Sequence, residues 1–413
     1  MEKIYEIPVE LIQIILGIYN YHEDFWKLRI VSKKMIEKFR YVRYNNPIDY
    51  KKILHLKVKP IFNNIRIHSV PDYPINLEWL KPTILEIEPH NNQIYAISEI
   101  PASVTKLTVD YCIAYIDPKI NKNLRSLTIK EGIVRGKLPK NIEYLKTNRM
   151  PESLGFGNLL KLHTFELDLP PQNMVDDDKY TRLLGKMLNL ERLRITIWSC
   201  YREKATLYNF PRLDKLKNLI IQARRYEGVK TVIDISNLSG LEVLKIQIEH
   251  GVEIKRCPQI LKEYVLAVSE YLDNGMIDIP HVSAEKIVIT SLAQITYHCD
   301  NAAKKLYLYK NVTAHIPDSL ELLHINTTNY FELPYYKNIV DLCVMGCDIV
   351  IPKTDACKIH VDASGDVTID PNSEKLIQIW IMGKTLNAPT WLVDKMVKKE
   401  TKLFNKTKWS WKK

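Results

Sequence analysis

The sequence predicts an α/β protein: a short all-helical N-terminal module, then a long solenoid with a curved parallel sheet of about 14 or 15 repeats. Three observations predict it. A dense apolar block fills residues 6–40. A short apolar phrase recurs from residue 85 onward. A lysine-rich stretch with three tryptophans ends the chain.

The phrase reads apolar, two variable, apolar, one variable, apolar. It stands in Val104-Thr-Lys-Leu107-Thr-Val109, Leu124-Arg-Ser-Leu127-Thr-Ile129 and Leu190-Glu-Arg-Leu193-Arg-Ile195. It returns in Leu241-Glu-Val-Leu244-Lys-Ile246, Leu320-Glu-Leu-Leu323-His-Ile325 and Ile339-Val-Asp-Leu342-Cys-Val344. Weaker copies centre on Leu85, Leu145, Phe165, Leu219, Ile287, Leu306, Ile359 and Ile377, and the weakest on Tyr264. The period-two alternation predicts a short strand whose central apolar residue and the apolar residue two places on face inward. One such strand cannot bury its own apolar side; stacked neighbours make a continuous core.

Many steps enter through Ile-Pro or Leu-Pro, as at Ile100-Pro101, Leu138-Pro139 and Ile316-Pro317. Proline lacks a donor and has a fixed φ, so it suits an extended bend. Steps of 17–20 residues leave no room for a helix, whereas the longer steps between Phe165 and Leu244 do, for example over 177–188. Cys112, Asn311 and Cys347 each stand three residues past an inward strand position, where a small polar side chain can satisfy turn backbone groups. Cys343, Cys347 and Cys357 lack paired Cys-x-x-Cys spacing, so no metal site is expected. These residues resemble leucine-rich repeats, and "IPASVTKLTV" and "IPDSLELLHI" are similar to the irregular FNIP-like repeats of protist and large-virus proteins.

The N-terminal block poses a packing problem. Pro8 opens a helix in its first turn, where its missing donor costs nothing. Val9, Leu11, Ile12, Ile14, Ile15, Leu16 and Ile18 then occupy nearly every side, and a helix apolar all round must be covered all round. A second helix begins at Asp24, and a third carries Met35, Ile36 and Phe39. The series Ile7, Pro8, Glu10, Leu11, Ile14, Asp24, Leu28, Arg29, Val31, Ser32, Lys33 resembles the F-box. Ile7 stands where leucine is usual, and Trp26 sits earlier than the common aromatic. The resemblance implies that Ile7, Pro8, Leu11, Ile14, Ile15, Leu28 and Val31 bind a Skp-type adaptor, and through it a cullin, in an SCF-type ubiquitin ligase. The repeats would then hold a protein substrate. The other reading of the block is a helical cap on a repeat scaffold with no ligase role. The domain plan is 1–44 for the F-box-like module, 45–81 for a connector and first irregular repeats, 82–381 for the solenoid, and 382–413 for a basic cap and tail.

Composition narrows the rest. The net charge is +11, but residues 395–413 hold eight lysines against one glutamate, leaving +4 for the remainder. The tail is expected to form an amphipathic helix over 391–404 that closes the repeat stack, with a mobile last stretch. The competing reading is peripheral contact with an anionic membrane. Seven cysteines, an odd number, and acid at Glu2, Glu6 and Glu10 point to a reducing compartment, cytoplasmic or nuclear. Gly383-Lys384-Thr385 lacks the first glycine of a phosphate loop, and no metalloprotease or serine-hydrolase motif occurs. No enzymatic activity and no cofactor are expected.

The same alternation names an outward face. Lys130, Lys146, Arg192, Arg194, Lys245, Lys305, Tyr307 and Tyr309 should project from it as a basic, partly aromatic surface for an acidic or phosphorylated protein segment. No nucleic-acid reading module is found, so nucleic acid is not an expected partner.

Overall fold

A computed structural model describes residues 43–44, 47–53, 61–68, 77, 80–89, 95–97, 99–148, 159–168, 177–198, 206–224, 231–249, 252–255, 257, 260–269, 282–326, 331–332, 339–346, 349–351, 356, 358–370, 378–383, 385–400 and 407–411. The F-box-like block, with Ile7, Pro8, Leu11, Ile14, Ile15, Leu28 and Val31, lies outside the described residues. The fold is mostly parallel β-sheet wound as a solenoid, with few helices. It divides into two units: residues 1–173 with 182–193, and residues 174–181 with 194–413.

In the first unit the strands Ile48–Asp49, Asn64–Ile67, Ile84–Ile87, Lys106–Val109, Ser126–Ile129, Tyr144–Thr147 and Thr164–Asp168 pair in parallel, each with the next in sequence. A second parallel sheet joins Tyr95–Ile97, Cys112–Ile116 and Ile133–Gly136. The second unit repeats the plan. Its main sheet runs through Asn218–Arg224, Val243–Ile248, Leu261–Val268, Ala284–His298, Lys305–His315, Leu322–Asn326, Asp341–Gly346, Lys358–Ala363 and Gln378–Gly383. Short strands on the return side form parallel sets of their own.

Register follows the sequence phrase. Leu85, Leu107, Leu127, Leu145 and Phe165 are direct partners across the first ladder. Leu219, Leu244, Tyr264, Ile287, Leu306, Leu323, Leu342 and Ile359 are direct partners across the second. Tyr264, the weakest copy, is a full rung with its side chain completely buried. On the last strand the register partner of Ile359 is Ile379, while the expected anchor Ile377 lies outside the described residues. Anchors such as Leu107, Leu127, Leu244 and Leu323, and the residues two places on, are at most 4% exposed. Each such side chain contributes about 1.5–3 kcal/mol of burial.

A polar ladder runs along the turns that lead into several rungs. There the residue just before the first apolar position of the phrase donates to a carbonyl one repeat earlier. Ser103 bonds Pro82 O at 2.7 Å, Asn123 bonds Ala102 O at 3.0 Å, Asn141 bonds Lys122 O at 3.1 Å and Asn189 bonds Leu160 O at 2.5 Å. In the second unit Ser319 bonds Ala303 O at 3.1 Å. Gly240 holds the same place where a Cβ would meet Asp214 O at 2.5 Å, so no side chain fits. The Asn311 amide, expected to serve a turn, donates to Leu292 O at 2.8 Å.

Two local expectations change. The long step after Phe165 holds the helix Asp177–Leu184, shorter than expected. The next long steps are filled by the strands Thr206–Asn209 and Thr231–Asp234 instead. At the C-terminus the expected helix over 391–404 shrinks to Thr390–Val393. Met396–Glu400 and Thr407–Trp411 instead form an antiparallel pair, and the latter pairs antiparallel with Gln378–Gly383. The physical reason is the open edge left by the last parallel strand, whose unpaired backbone groups favour another strand over an isolated short helix. The last stretch, expected to be mobile, is therefore in large part a paired strand.

Candidate partner-binding face

The outward face is the side of each main sheet opposite the core. Its rows arise because every repeat places the same phrase position at the same height.

In the first unit one row runs Arg66, Glu86, Thr108, Thr128, Lys146, Glu166. The next row outward includes Glu88, Asp110 and Lys130. The expected basic character gives way here to mixed charge. Arg66 pairs with Glu86 at 2.5 Å, and Lys146 with Glu166 at 3.7 Å. Lys130 pairs with Glu88 at 2.7 Å and lies 3.6 Å from Asp110. The Lys130 hydrogen bond holds the Glu88 carboxyl below its ordinary range, and Glu88 in turn raises Lys130. Lys130 and Lys146 are therefore compensated cations. These pairs are partly exposed and each is worth at most about 1 kcal/mol.

Arg192 is exposed and belongs to the first unit, whereas Arg194 belongs to the second. Arg194 Nη2 donates to Gln222 Oε1 at 3.1 Å, Gln222 Nε2 to Gln247 Oε1 at 3.0 Å, and Gln247 Nε2 to Ser269 Oγ at 3.1 Å. This chain ties four rungs with every dipole pointing one way. The strand Asn218–Arg224 lies between the strands of Arg194 and Lys245. Lys245 is exposed.

The far part of the second unit differs in chemistry. Tyr307, His324, Cys343, His360 and Trp380 are direct partners on five consecutive strands. The His324 ring lies 5.7 Å from Tyr307 and 5.4 Å from Tyr309, and His360 stacks on Trp380 at 4.0 Å. Burial and the nearby His360 lower the His324 pKa, and its buried Nε2 has no hydrogen-bond partner among the described residues. Burial also lowers His360, against the opposing pull of Asp362 and Asp341. Cys343 faces outward and burial raises its thiol pKa to about 11. Burial thus favours the neutral forms of both imidazoles and of the thiol. Lys305 is exposed beside it, while Lys286 is neutralised by Glu263 at 2.9 Å.

The geometry thus brings Lys305, Tyr307 and Tyr309 together with His324, and sets Lys130 and Lys146 among acids. The sequence reading missed those acids and did not select Cys343 or Trp380. The same register rule, applied to every outward residue rather than to cations and aromatics, locates them. Among the described residues no group of three or more His, Cys, Asp or Glu is placed to hold a metal ion. No described helix is long and apolar enough to cross a membrane. Comparison of the chain with protein-family models and with curated proteins finds no match, so repeat geometry and side-chain chemistry carry its functional reading.

Proposed function

We propose that the chain is a recognition subunit of an SCF-type ubiquitin ligase: residues 1–44 bind a Skp-type adaptor, and through it a cullin, while the repeats hold a protein substrate. The observation that carries the recognition half is the row Tyr307, His324, Cys343, His360, Trp380 on the outward face. Stacked rings present polar edges and apolar bodies to solvent with few rotatable bonds, the chemistry enriched where proteins meet proteins. Exposed Lys305 and Lys358 beside the row favour an acidic or phosphorylated segment. The ligase half is supported by the F-box resemblance of Ile7 to Lys33. Ligase chemistry then belongs to the partners, and the chain needs neither catalytic residue nor cofactor, in a cytoplasmic or nuclear setting.

The test is affinity capture from the native cell type with three baits: the intact chain, a chain lacking residues 1–44, and the Tyr307→Ala/Trp380→Ala variant. The intact chain should recover adaptor, cullin and substrate. The truncation should lose adaptor and cullin only, and the double variant substrate only. Recovery of substrate without adaptor by the intact chain would leave a repeat scaffold with a helical cap.

A further inference from the structure

The turn edge of the first unit carries a second surface that neither the face nor the tail accounts for. Two successive repeats place Lys-x-x-Lys at the same point: Lys119 with Lys122, and Lys137 with Lys140. All four side chains are exposed, and no carboxylate among the described residues pairs with them. Close by in sequence, Asp117 accepts the Lys119 backbone N–H at 2.8 Å, and Glu143 pairs with Arg125 at 3.5 Å. On the sheet face, by comparison, three of the lysines, Lys130, Lys146 and Lys286, each have an acidic partner.

The row continues with different chemistry. The repeat position of Lys122 and Lys140 is held on the next two rungs by Leu160 and Leu188. These are 60% and 63% exposed, the two most exposed large apolar residues among those described. The turn ladder fixes this row, since Asn141 holds the Lys122 carbonyl and Asn189 the Leu160 carbonyl. From Lys122 to Leu188 is three rungs, about 14 Å at the usual strand spacing, or roughly four residues of extended chain. A polyanion would use the lysines and leave both leucines in water.

We propose that this edge docks an extended protein segment in which acidic residues lie a few positions away from a pair of large apolar side chains. The proposal rests on the recognition reading above and adds a second contact to it. The lysines give charge complementarity and the leucines give apolar burial, so specificity comes from their order along the row.

The experiment selects a displayed random-peptide library on the immobilised full chain, then measures the enriched peptides by fluorescence anisotropy. Peptides combining acidic and large apolar residues at this spacing should be enriched. Their affinity should fall about tenfold or more in Lys122→Glu/Lys140→Glu and also in Leu160→Ser/Leu188→Ser, at unchanged melting temperature. Enriched peptides that bind both variants as tightly as the parent overturn the proposal. So does binding of a single-stranded oligonucleotide or of phosphatidylserine vesicles that is lost in the lysine variant and untouched in the leucine variant, which would make the edge a general polyanion surface. If the adaptor is still captured while the peptides fail, only this edge proposal falls.

Discussion

Replacing Asn121 by alanine should destabilise the first unit by about 2–4 kcal/mol. The residue is 2% exposed. Its Nδ2 donates to Ile100 O at 2.7 Å, and its Oδ1 accepts the Asp117 backbone N–H at 3.0 Å. The first bond is buried, so its loss strands a carbonyl at a cost of about 1–3 kcal/mol. The second is nearer solvent, and water can replace it, so its net loss is nearer about 1 kcal/mol. Asn123→Ala is the internal control. It removes one exposed side-chain bond to Ala102 O of 3.0 Å and should cost about 0.5 kcal/mol. Urea unfolding followed by circular dichroism measures both, with an unchanged m-value as the sign that compactness is preserved. Equal costs for the two alanine variants would refute the reasoning, because burial would then not decide the worth of these bonds. Asn121→Asp keeps the acceptor for Asp117 and loses the donor, and should be no better than alanine because it adds a buried charge.

Other outcomes follow from the same geometry. Tyr264→Ala removes a fully buried ring from an aligned rung and should cost about 3–5 kcal/mol by chemical denaturation; a cost below about 1 kcal/mol would place the ring outside the core. The lowered His324 pKa means that its share of stability is present above the unfolded value of about 6.5 and is lost as pH falls through the folded one. Replacing His324 by Phe should flatten the melting-temperature profile below that pH, and an unchanged slope would count against a buried neutral ring. Truncation after Lys395 removes the two antiparallel strands and exposes the Gln378–Gly383 edge, so melting temperature should drop and light scattering rise. If neither moves, the hairpin does not protect the sheet.

How much was legible in sequence depends on which kind of constraint acted. Inward positions such as Leu107, Leu244 and Leu323 were legible because burial demands large apolar residues at a fixed period. Tyr264 was faint because a tyrosine at an anchor looks polar on its own, and its role emerges from alignment between Leu244 and Ile287. The C-terminal strands were misread because the charge and apolar spacing of residues 391–404 fits a helix, whereas pairing with Gln378–Gly383 is non-local. At the candidate face, outward positions were readable but their compensation was not. Lys130 meets Glu88 from 42 residues earlier in the chain, a contact set by stacking two rungs away. The Arg194, Gln222, Gln247, Ser269 chain has the same origin, since each step joins residues 22–28 positions apart.

Adaptor docking is open to a simple measurement: the purified chain is mixed with a purified Skp-type adaptor and the mass of the species is read by sedimentation. A 1:1 complex is expected for the full chain, and none for a chain lacking residues 1–44 that keeps its melting temperature. Equal binding by both chains, or by neither, would contradict this expectation.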